Sequence, residues 1–339
     1  MNNIAASEKL IELWSKGTKF LNTENAILGG AMSWISESNL VSAISNAGGF
    51  GIIACGSMSP ELLDKEIKAT QKLTQKSFGV NLITMHPQLH ELIEVCSQNN
   101  IKYIVLAGGL PKASTINKIH HSSATTICFA PSLSIAKRLI KLNVGAIIIE
   151  GMEAGGHIGP VSTSVLAQEI LPEIGHILPV FVAGGIGRGE LIASYLEMGA
   201  SGCQLGTRFV CSTESIAHAN FKNKFISSNA RHAVPSIQIN QDFPVIPVRA
   251  IENKATKEFL NVQIEAIELY NSGKLSKVDA QLKIEHFWAG ALKKAVIDGD
   301  VEHGSVMAGQ SVGLVNKIEP VRDIIDRLVT EANNFLSNK

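Results

Sequence analysis

The chain has 339 residues, enough for one large domain or for a barrel with a smaller appendage. It is 45% hydrophobic and 18% charged, which is typical of a well-buried α/β core and excludes a disordered or fibrous protein. Thirty Lys and Arg residues balance thirty Asp and Glu residues. Because affinity for nucleic acid depends on cations that neutralise phosphates, this balance argues against a nucleic-acid partner.

Targeting and redox signals point to a cytoplasmic protein. Residues 1–8 contain no basic segment followed by an apolar run, so no secretory signal is predicted. No apolar stretch approaches the roughly 20 residues that a membrane span needs, so no membrane partner is expected. The cysteines are scattered without metal-type spacing, which predicts reduced thiols and no metal site. They are Cys55, Cys96, Cys128, Cys203 and Cys211.

Eight short β-forming runs recur along the chain, and each ends in glycine or another small residue. They occupy residues 26–30, 51–56, 78–82, 103–109, 125–130, 146–151, 180–185 and 202–207. The runs are too continuously apolar for strands with one solvent face and fit parallel strands buried on both faces. Helical patterns lie between them. This alternation predicts a (β/α)₈ TIM barrel, and the number and regular spacing favour it over a doubly wound open sheet.

The regular alternation ends after the eighth run. Residues from about 221 to 248 are polar and contain three prolines, among them Pro244, which predicts irregular structure. Helical patterns follow at residues 256–270 and 278–295, and the pattern at 319–335 predicts the last barrel helix. We therefore expect a barrel formed by residues 1–210 and 297–339. Residues 211–296 are expected to form a mainly helical lid, or substrate subdomain, inserted after strand 8.

The carboxyl ends of the strands are where barrels of this type carry their chemistry. Gly184-Gly185 and Gly206-Thr207 follow the seventh and eighth strands, where barrels bind phosphate through backbone N–H groups and helix N-termini. Asn81 is a polar residue at the end of an apolar strand. Its side chain either hydrogen-bonds a planar heterocycle or satisfies its own loop. These residues predict a phosphorylated ligand at the barrel mouth.

The loop after the sixth strand carries the densest chemical signal. Residues 150–159 contain four glycines, two acids and His157. An imidazole exchanges protons near neutral pH, so a histidine in a glycine-rich loop at this end of a barrel is a candidate proton-transfer residue. Glu150 or Glu153 either orients the histidine or caps the loop, and the sequence does not distinguish between them.

A second loop of small residues, 304–310, lies just before the closing helix. Close approach to a ligand and capping of the helix are both consistent with it. If the loop contacts substrate, Ser305, Met307 and Gln310 are its candidate binding residues.

Several motifs carry a family resemblance from about Lys9 to the C-terminus. They are residues 48–51 (GGFG), 78–81 (FGVN), 150–159, 183–186 (AGGI) and 206–209 (GTRF). On these motifs the chain resembles the FMN-dependent family that contains nitronate monooxygenases, formerly 2-nitropropane dioxygenases, and the flavin-type enoyl-[acyl-carrier-protein] reductases. Three further stretches, 214–220, 248–253 and 299–310, are more similar to the reductase branch.

The resemblance implies FMN as cofactor and NADH or NADPH as reductant. It implies a phosphate grip made by Gly184, Gly185, Gly206 and Thr207, and an isoalloxazine ring near Gly30, Met32 and Asn81. His157 would lie beside the reactive edge of the ring as the catalytic residue. Glu150, Gly155 and Gly156 would supply further cofactor contacts. The expected partners are a small-molecule or acyl-carrier-protein-linked substrate and a second copy of the chain in a homodimer.

Two reactions are consistent with this assignment. In an enoyl reductase of fatty acid synthesis, reduced FMN delivers hydride to the β-carbon of an enoyl thioester, and His157 assists protonation of the α-carbon. In a nitronate monooxygenase, His157 takes a proton from the carbon beside the nitro group or stabilises the anion, the flavin passes one electron onward, and O₂ completes the oxidation. The reductase is favoured because the three branch-specific stretches fall in the expected lid and closing loop. An NAD(P)H-dependent flavin or quinone reductase without a dedicated carbon substrate is a further alternative. A non-catalytic barrel that binds a phosphorylated ligand is the alternative from another class.

Overall fold

The structure is a computed structural model that describes residues 5–56, 58–240 and 246–338. Residues 1–4, part of the segment searched for a secretory signal, and Pro244 lie outside these ranges. The described residues form twelve strands. They are β1 (Ile27–Gly29), β2 (Gly51–Ala54), β3 (Phe78–Ile83), β4 (Tyr103–Ala107), β5 (Thr125–Phe129), β6 (Ala146–Glu150), β7 (Gly156–His157), β8 (Val180–Ala183), β9 (Gly202–Leu205), β10 (Ala233–Pro235), β11 (Val248–Ile251) and β12 (Val306–Met307).

Eight of these strands pair in parallel and close into a barrel. Their order is β1-β9-β8-β6-β5-β4-β3-β2, and each coincides with one of the eight predicted runs. The ring closes between β1 and β2 through Phe50, whose N–H donates to the Ile27 carbonyl (2.9 Å) and whose carbonyl accepts from Gly29 N–H (2.9 Å). The predicted (β/α)₈ fold is confirmed.

Helices surround the barrel and cover its mouth. In chain order they are α1 (Glu8–Leu21), α2 (Ser38–Asn46), α3 (Pro60–Leu73), α4 (Leu89–Gln98), α5 (Ala113–His121), α6 (Leu133–Lys141), α7 (Thr163–Ile174), α8 (Gly189–Glu197), α9 (Thr207–Val210), α10 (Ala219–Ile226), α11 (Lys254–Asn271), α12 (Lys277–Val296) and α13 (Val321–Ser337). Serine hydroxyls cap the first turns of α1, α3, α6 and α12. None of the helices in the described ranges combines the length and apolar character that a bilayer crossing requires.

Strand alternation explains how the apolar runs fill two layers of core. On β6, Ile147 and Ile149 pack in the layer shared with the helices, whereas Ala146 and Ile148 pack in the barrel interior. The interior layer also contains Phe50 and Phe181, which are fully buried. All five cysteines are buried and unpaired. The continuous hydrophobicity that predicted parallel strands is thus the signature of burial on both faces.

The segment after β9 carries the expected helices and a small sheet that the sequence did not predict. Helices α11 and α12 match the two predicted helical patterns and pack through Phe259 and Trp288, whose ring centroids lie 4.2 Å apart. Strand β11 pairs antiparallel with β10, β12 and β7. These strands are two to four residues long, too short for a periodic pattern to reveal. The limits of the lid, residues 211–296, stay a prediction.

Candidate active site

A layer of polar side chains lies at the carboxyl ends of the barrel strands. On β6, Glu150 has the same parity as the interior residues Ala146 and Ile148, so it points to the barrel mouth. By the same alternation, Asn81 on β3 and Gln204 on β9 face the interior, because their strand neighbours pack outward. Gln204 also lies beside Gly30, where an added Cβ would meet its side chain at 3.5 Å. Gly30, Asn81 and Glu150 were predicted, and Gln204 was not.

Burial changes the chemistry of Glu150. Loss of hydration disfavours its charged form and raises the pKa of the carboxyl from 4.5 to about 7. At neutral pH a substantial fraction of this group therefore carries a proton and can donate a hydrogen bond. Asn81 is also buried, and its amide donates to the Val105 carbonyl at 3.3 Å. The mouth thus presents groups that match the mixed donors and acceptors of a heterocycle edge.

His157 lies on a strand rather than in a free loop. In β7, His157 pairs with Val248 and Gly156 pairs with Arg249, both on β11. The Ile158 N–H extends this pairing by donating to the Pro247 carbonyl at 2.9 Å. The imidazole itself is exposed. A strand of the predicted lid therefore fixes the backbone of the proposed proton-transfer residue.

Arg249 is the buried cation behind this strand pair, and sequence reasoning did not identify it. Its side chain is 2% exposed and donates to the carbonyls of Met152 and Ala233. Burial lowers the pKa of the guanidinium, which the nearby charge of Glu153 opposes. Its two backbone contacts join the loop after β6 to β10, so Arg249 fastens the histidine loop to the lid.

The structure distinguishes the two acids that the sequence left open. The Glu153 carboxylate accepts hydrogen bonds from the Thr163 N–H (2.9 Å) and hydroxyl (2.8 Å) at the first residue of α7. An acid at this position satisfies a helix N-terminus and interacts favourably with its dipole. Glu153 therefore caps α7, while Glu150 faces the mouth.

The three candidate substrate residues of the closing loop face different surroundings. Met307, on β12, lies against Gly156, where an added Cβ would be 3.6 Å from its sulfur. Ser305 is buried, its N–H donates to the Ala291 carbonyl of α12, and its hydroxyl has no partner among the described groups. Gln310 lines a cavity beside Gly184 and Gly185. Of the three, the structure brings Met307 beside the His157 strand.

The predicted phosphate grip has the geometry that requires glycine. Gly184 and Gly185 adopt φ values of +100° and +72°, which disfavour any side chain. A Cβ on Gly184 would also lie 2.8 Å from the Thr163 hydroxyl, and one on Gly185 would lie 3.0 Å from the Glu153 side chain. The backbone is therefore bare at this point. These residues fit a phosphate group, which binds well to uncovered N–H groups at the ends of barrel strands.

The second half of the grip is tied to the closing loop. The Thr207 hydroxyl accepts a hydrogen bond from the Gly309 N–H at 3.0 Å, which leaves its own proton to donate. Gly206 lies next to Met32, where an added Cβ would be 3.5 Å from the sulfur. Met32 and the Gly206-Thr207 turn are thus neighbours, as one extended phosphorylated ligand would require.

A buried ion pair stands directly behind this turn. Arg208, the residue after Thr207, pairs with Glu319, and the two side chains are only 4% and 5% exposed. Burial alone would raise the pKa of Glu319, but hydrogen bonds from Arg327 and Lys317 and the charge of Arg208 outweigh it and hold that pKa at about 2. Thr213 N–H and the Glu319 carbonyl add a backbone bond between the same segments. The phosphate turn is therefore joined to the start of α13.

The loop after β1 makes a contact with the lid from the opposite side of the mouth. Trp34 has a left-handed backbone with φ of +66°, a strained conformation for a bulky residue. Lys293 of α12 places its ammonium 5.1 Å from the centre of the Trp34 ring, within the range of a cation–π interaction. The lid thus contacts the barrel both at the histidine strand and at the β1 loop.

This arrangement matches a known family over nearly the whole chain. The family model for nitronate monooxygenase matches residues 15–331. The chain belongs to the nitronate monooxygenase family. Family membership confirms the predicted resemblance and makes the protein an FMN-dependent oxidoreductase, which argues against the non-catalytic alternative.

Proteins similar to this chain come from both branches named above, the reductases and the nitronate monooxygenases. The solved structure of FabK from Thermotoga maritima is 33% identical, with a TM-score of 0.83 over 95% of this chain and 96% of that one. A Mycobacterium tuberculosis relative, (3aS,4S,5R,7aS)-5-hydroxy-7a-methyl-1-oxo-octahydro-1H-indene-4-carboxyl-CoA dehydrogenase, is 26% identical and covers 94% of this chain and 96% of its own length. A probable nitronate monooxygenase from Staphylococcus aureus is 24% identical, covering 96% and 100%.

Proposed function

We propose that the protein is an NAD(P)H-dependent FMN oxidoreductase that reduces the double bond of an enoyl thioester. The observation that carries the proposal is the sheet centred on β11. Two of the three stretches that resemble the reductase branch, 248–253 and 299–310, pair with one another there. One of them also pairs with the strand that contains His157. Two of the three segments most similar to reductases therefore belong to the same small sheet as the proposed proton donor.

The relatives support a thioester substrate. The Mycobacterium tuberculosis relative is named for a carboxyl-CoA compound, and the structure that matches at 33% identity is FabK. A thioester substrate has a long flexible arm, which needs a cleft between barrel and lid. Met307 on β12 packs against both the barrel core and the lid cluster, so such a cleft would run beside β12. The proposal extends to an acyl-carrier-protein or coenzyme A carrier for that arm.

In this proposal each polar group has one task. Bound FMN supplies the two-electron chemistry. Backbone N–H groups of Gly184, Gly185 and Gly206 bind its phosphate, with the Thr207 hydroxyl. Asn81, Glu150 and Gln204 hydrogen-bond the ring edges at the barrel mouth. His157 donates a proton to the α-carbon of the substrate as the β-carbon is reduced.

Nitronate oxidation is the second candidate function. The family model and the Staphylococcus aureus relative favour it. The same histidine would then take the proton from the carbon beside the nitro group of a nitroalkane, or stabilise the nitronate anion, so His157 does not discriminate between the two reactions.

Anaerobic reduction followed by a choice of oxidant tests the assignment. The FMN-loaded protein is mixed with NADH or NADPH without oxygen, and loss of the flavin absorbance is followed. A crotonyl thioester is then added, with the saturated butyryl thioester as matched control. We expect the crotonyl compound alone to restore the absorbance and to yield butyryl product. If neither thioester reoxidises the flavin and alkyl nitronate with air is turned over instead, the reductase assignment is wrong.

A further inference from the structure

Two buried polar groups beside the small sheet have no hydrogen-bond partner among the described residues. They are the Ser305 hydroxyl, in the closing loop, and the Trp288 indole N–H, on α12. The two residues are 1% and 3% exposed. In the described ranges one further buried side-chain atom shares this condition, Nη1 of Arg208 behind the phosphate turn. Buried polar groups are nearly always paired, so each exception requires an explanation.

The two groups are close together, at the contact between α12 and the closing loop. The Ser305 N–H donates to the Ala291 carbonyl at 2.8 Å, and Ala291 lies about one helical turn beyond Trp288. The indole N–H can only donate a hydrogen bond, and the serine hydroxyl can also donate. A single oxygen atom with two lone pairs can therefore accept from both groups.

Strand alternation places these donors on the same face of the small sheet as His157. His157 lies opposite Val248 on β11. Met307 lies opposite Ala250, two residues further along that strand. Cross-strand partners and residues two apart on one strand point to the same face, so Ser305, two residues before Met307, shares it. The four residues along this path separate Ser305 from His157 by about 13 Å.

The surroundings of the donor pair are apolar. On this face of the sheet, Val248 and Met307 pack against the lid cluster, which includes Phe259 and Trp288. A charged ligand group would lose its hydration here at a high cost in free energy, so an uncharged carbonyl fits better than a carboxylate or a phosphate. The Met307 sulfur lies beside Gly156, which puts a flexible side chain between the histidine strand and the lid cluster.

The arm of the proposed thioester substrate carries an acceptor of this kind. In coenzyme A and in acyl carrier proteins the acyl group is attached to pantetheine, a chain with two amides. The carbonyl of the second amide lies about 12 Å from the α-carbon when the chain is extended. We propose that Ser305 and Trp288 donate to this carbonyl, and that the side chain of Met307 moves aside to admit the arm. The inference rests on the proposed function, because it needs a thioester with its α-carbon at His157.

The stability of the cofactor-free protein gives a first readout. A buried donor without a partner destabilises the folded state, so its removal should not lower stability. We expect Ser305→Ala to have a midpoint of urea denaturation no lower than that of the parent protein. A lower midpoint would show that the hydroxyl already has a partner, which would overturn the inference.

Binding of unreactive saturated thioesters tests the contact itself without turnover. Calorimetry on the FMN-loaded protein gives the Kd of butyryl-pantetheine, which has both amides, and of butyryl-N-acetylcysteamine, which has only the first. We expect the pantetheine thioester to bind about tenfold more tightly to the parent protein. In Ser305→Ala and in Trp288→Phe this advantage should fall to about threefold or less, while the Kd of the shorter thioester stays within about twofold.

Trp14→Phe is the matched control, since Trp14 is a buried tryptophan of α1, and it should keep the full advantage. An unchanged advantage in both Ser305→Ala and Trp288→Phe would overturn the inference. Equal weakening of both thioesters would also overturn it, because the donors would then serve the acyl group or the first amide. Both outcomes leave the proposed function intact, since reoxidation of the flavin by the crotonyl thioester tests it separately. If neither thioester binds the parent protein, the thioester substrate and the inference fail together.

The same measurement distinguishes the two carriers. Butyryl-coenzyme A and a butyryl-acyl carrier protein are compared with butyryl-pantetheine. The natural carrier should bind more tightly than the pantetheine thioester and should show the same loss in Ser305→Ala and Trp288→Phe. Absence of that loss with both carriers would contradict a contact to the arm that they share.

Discussion

At the Gly184-Gly185 half of the predicted phosphate grip, backbone conformation and a nearby loop fix the binding groups, whereas at His157 a distant segment fixes the binding group. Gly184 and Gly185 owe their position to their own backbone conformation and to the adjacent loop. His157 owes its position to two residues of β11, a strand that follows far along the chain. Gly184 and Gly185 should therefore keep their geometry when the lid is altered, and the histidine should not.

Removing the imidazole gives the largest expected effect. The variant His157→Ala should lose roughly 10²–10⁴-fold in turnover, the usual contribution of a general acid or base, while the Kd for FMN stays unchanged. The control His90→Ala alters an exposed histidine of α4 and should have no effect on either quantity. Full turnover in His157→Ala would assign the histidine a purely structural role. The contrast between the phosphate grip and the histidine strand would then concern structure alone.

Breaking the ion pair behind the phosphate turn tests the other region. Glu319→Gln leaves the Arg208 guanidinium buried without its carboxylate, so the free energy of unfolding should fall by about 3–5 kcal/mol. Urea denaturation measures this change, and the Kd for FMN should rise in the same variant because the Gly206-Thr207 turn loses its support. Glu173→Gln, in the exposed pair with Lys137, is the control and should have the same free energy of unfolding as the parent protein. An unchanged FMN affinity in Glu319→Gln would show that the turn is fixed by its own backbone alone.

The smallest expected effect concerns the pH dependence of Glu150. Burial raises its pKa from 4.5 to about 7. Between pH 4.5 and pH 7 the folded state therefore keeps a proton on this carboxyl that the unfolded state has released. Stability should therefore fall as pH rises through this window, by about 2 kcal/mol after allowance for partial exposure. Glu150→Gln should lack this loss when cofactor-free protein is unfolded in urea below pH 4.5 and above pH 7. The control Glu169→Gln alters an exposed acid of α7 and should keep the parent's pH dependence. An identical pH dependence in Glu150→Gln and the parent would contradict the assignment.

The barrel and the glycine pairs could be predicted because they depend on local pattern. Burial on both faces makes a parallel strand continuously apolar, and a positive φ at a close approach requires glycine, so both leave a direct mark on the sequence. Gln204 was not predicted as a site residue, although the sequence contained a signal for it. It interrupts an apolar strand in the manner of Asn81, and strand alternation places it on the same interior face.

The small sheet could not be predicted from the sequence. Strands β7 and β12 are two residues long, and their pairing with β11 depends on tertiary structure rather than on any repeat. The same reason concealed Arg249, whose partners are two backbone carbonyls from different segments. The choice between Glu150 and Glu153 likewise depended on three-dimensional position, since only the fold shows that Glu153 reaches the first residue of α7.

The position of β11 would couple any displacement of the predicted lid to the position of His157. Because β11 pairs with β7 on one side of the mouth and Lys293 contacts Trp34 on the other, displacement of the lid would break the pairs that hold His157. Substrate would then enter only while the lid is displaced, and His157 would transfer a proton only after the lid has closed. An open site would have no correctly placed acid, and a closed site would admit no second substrate or bulk water.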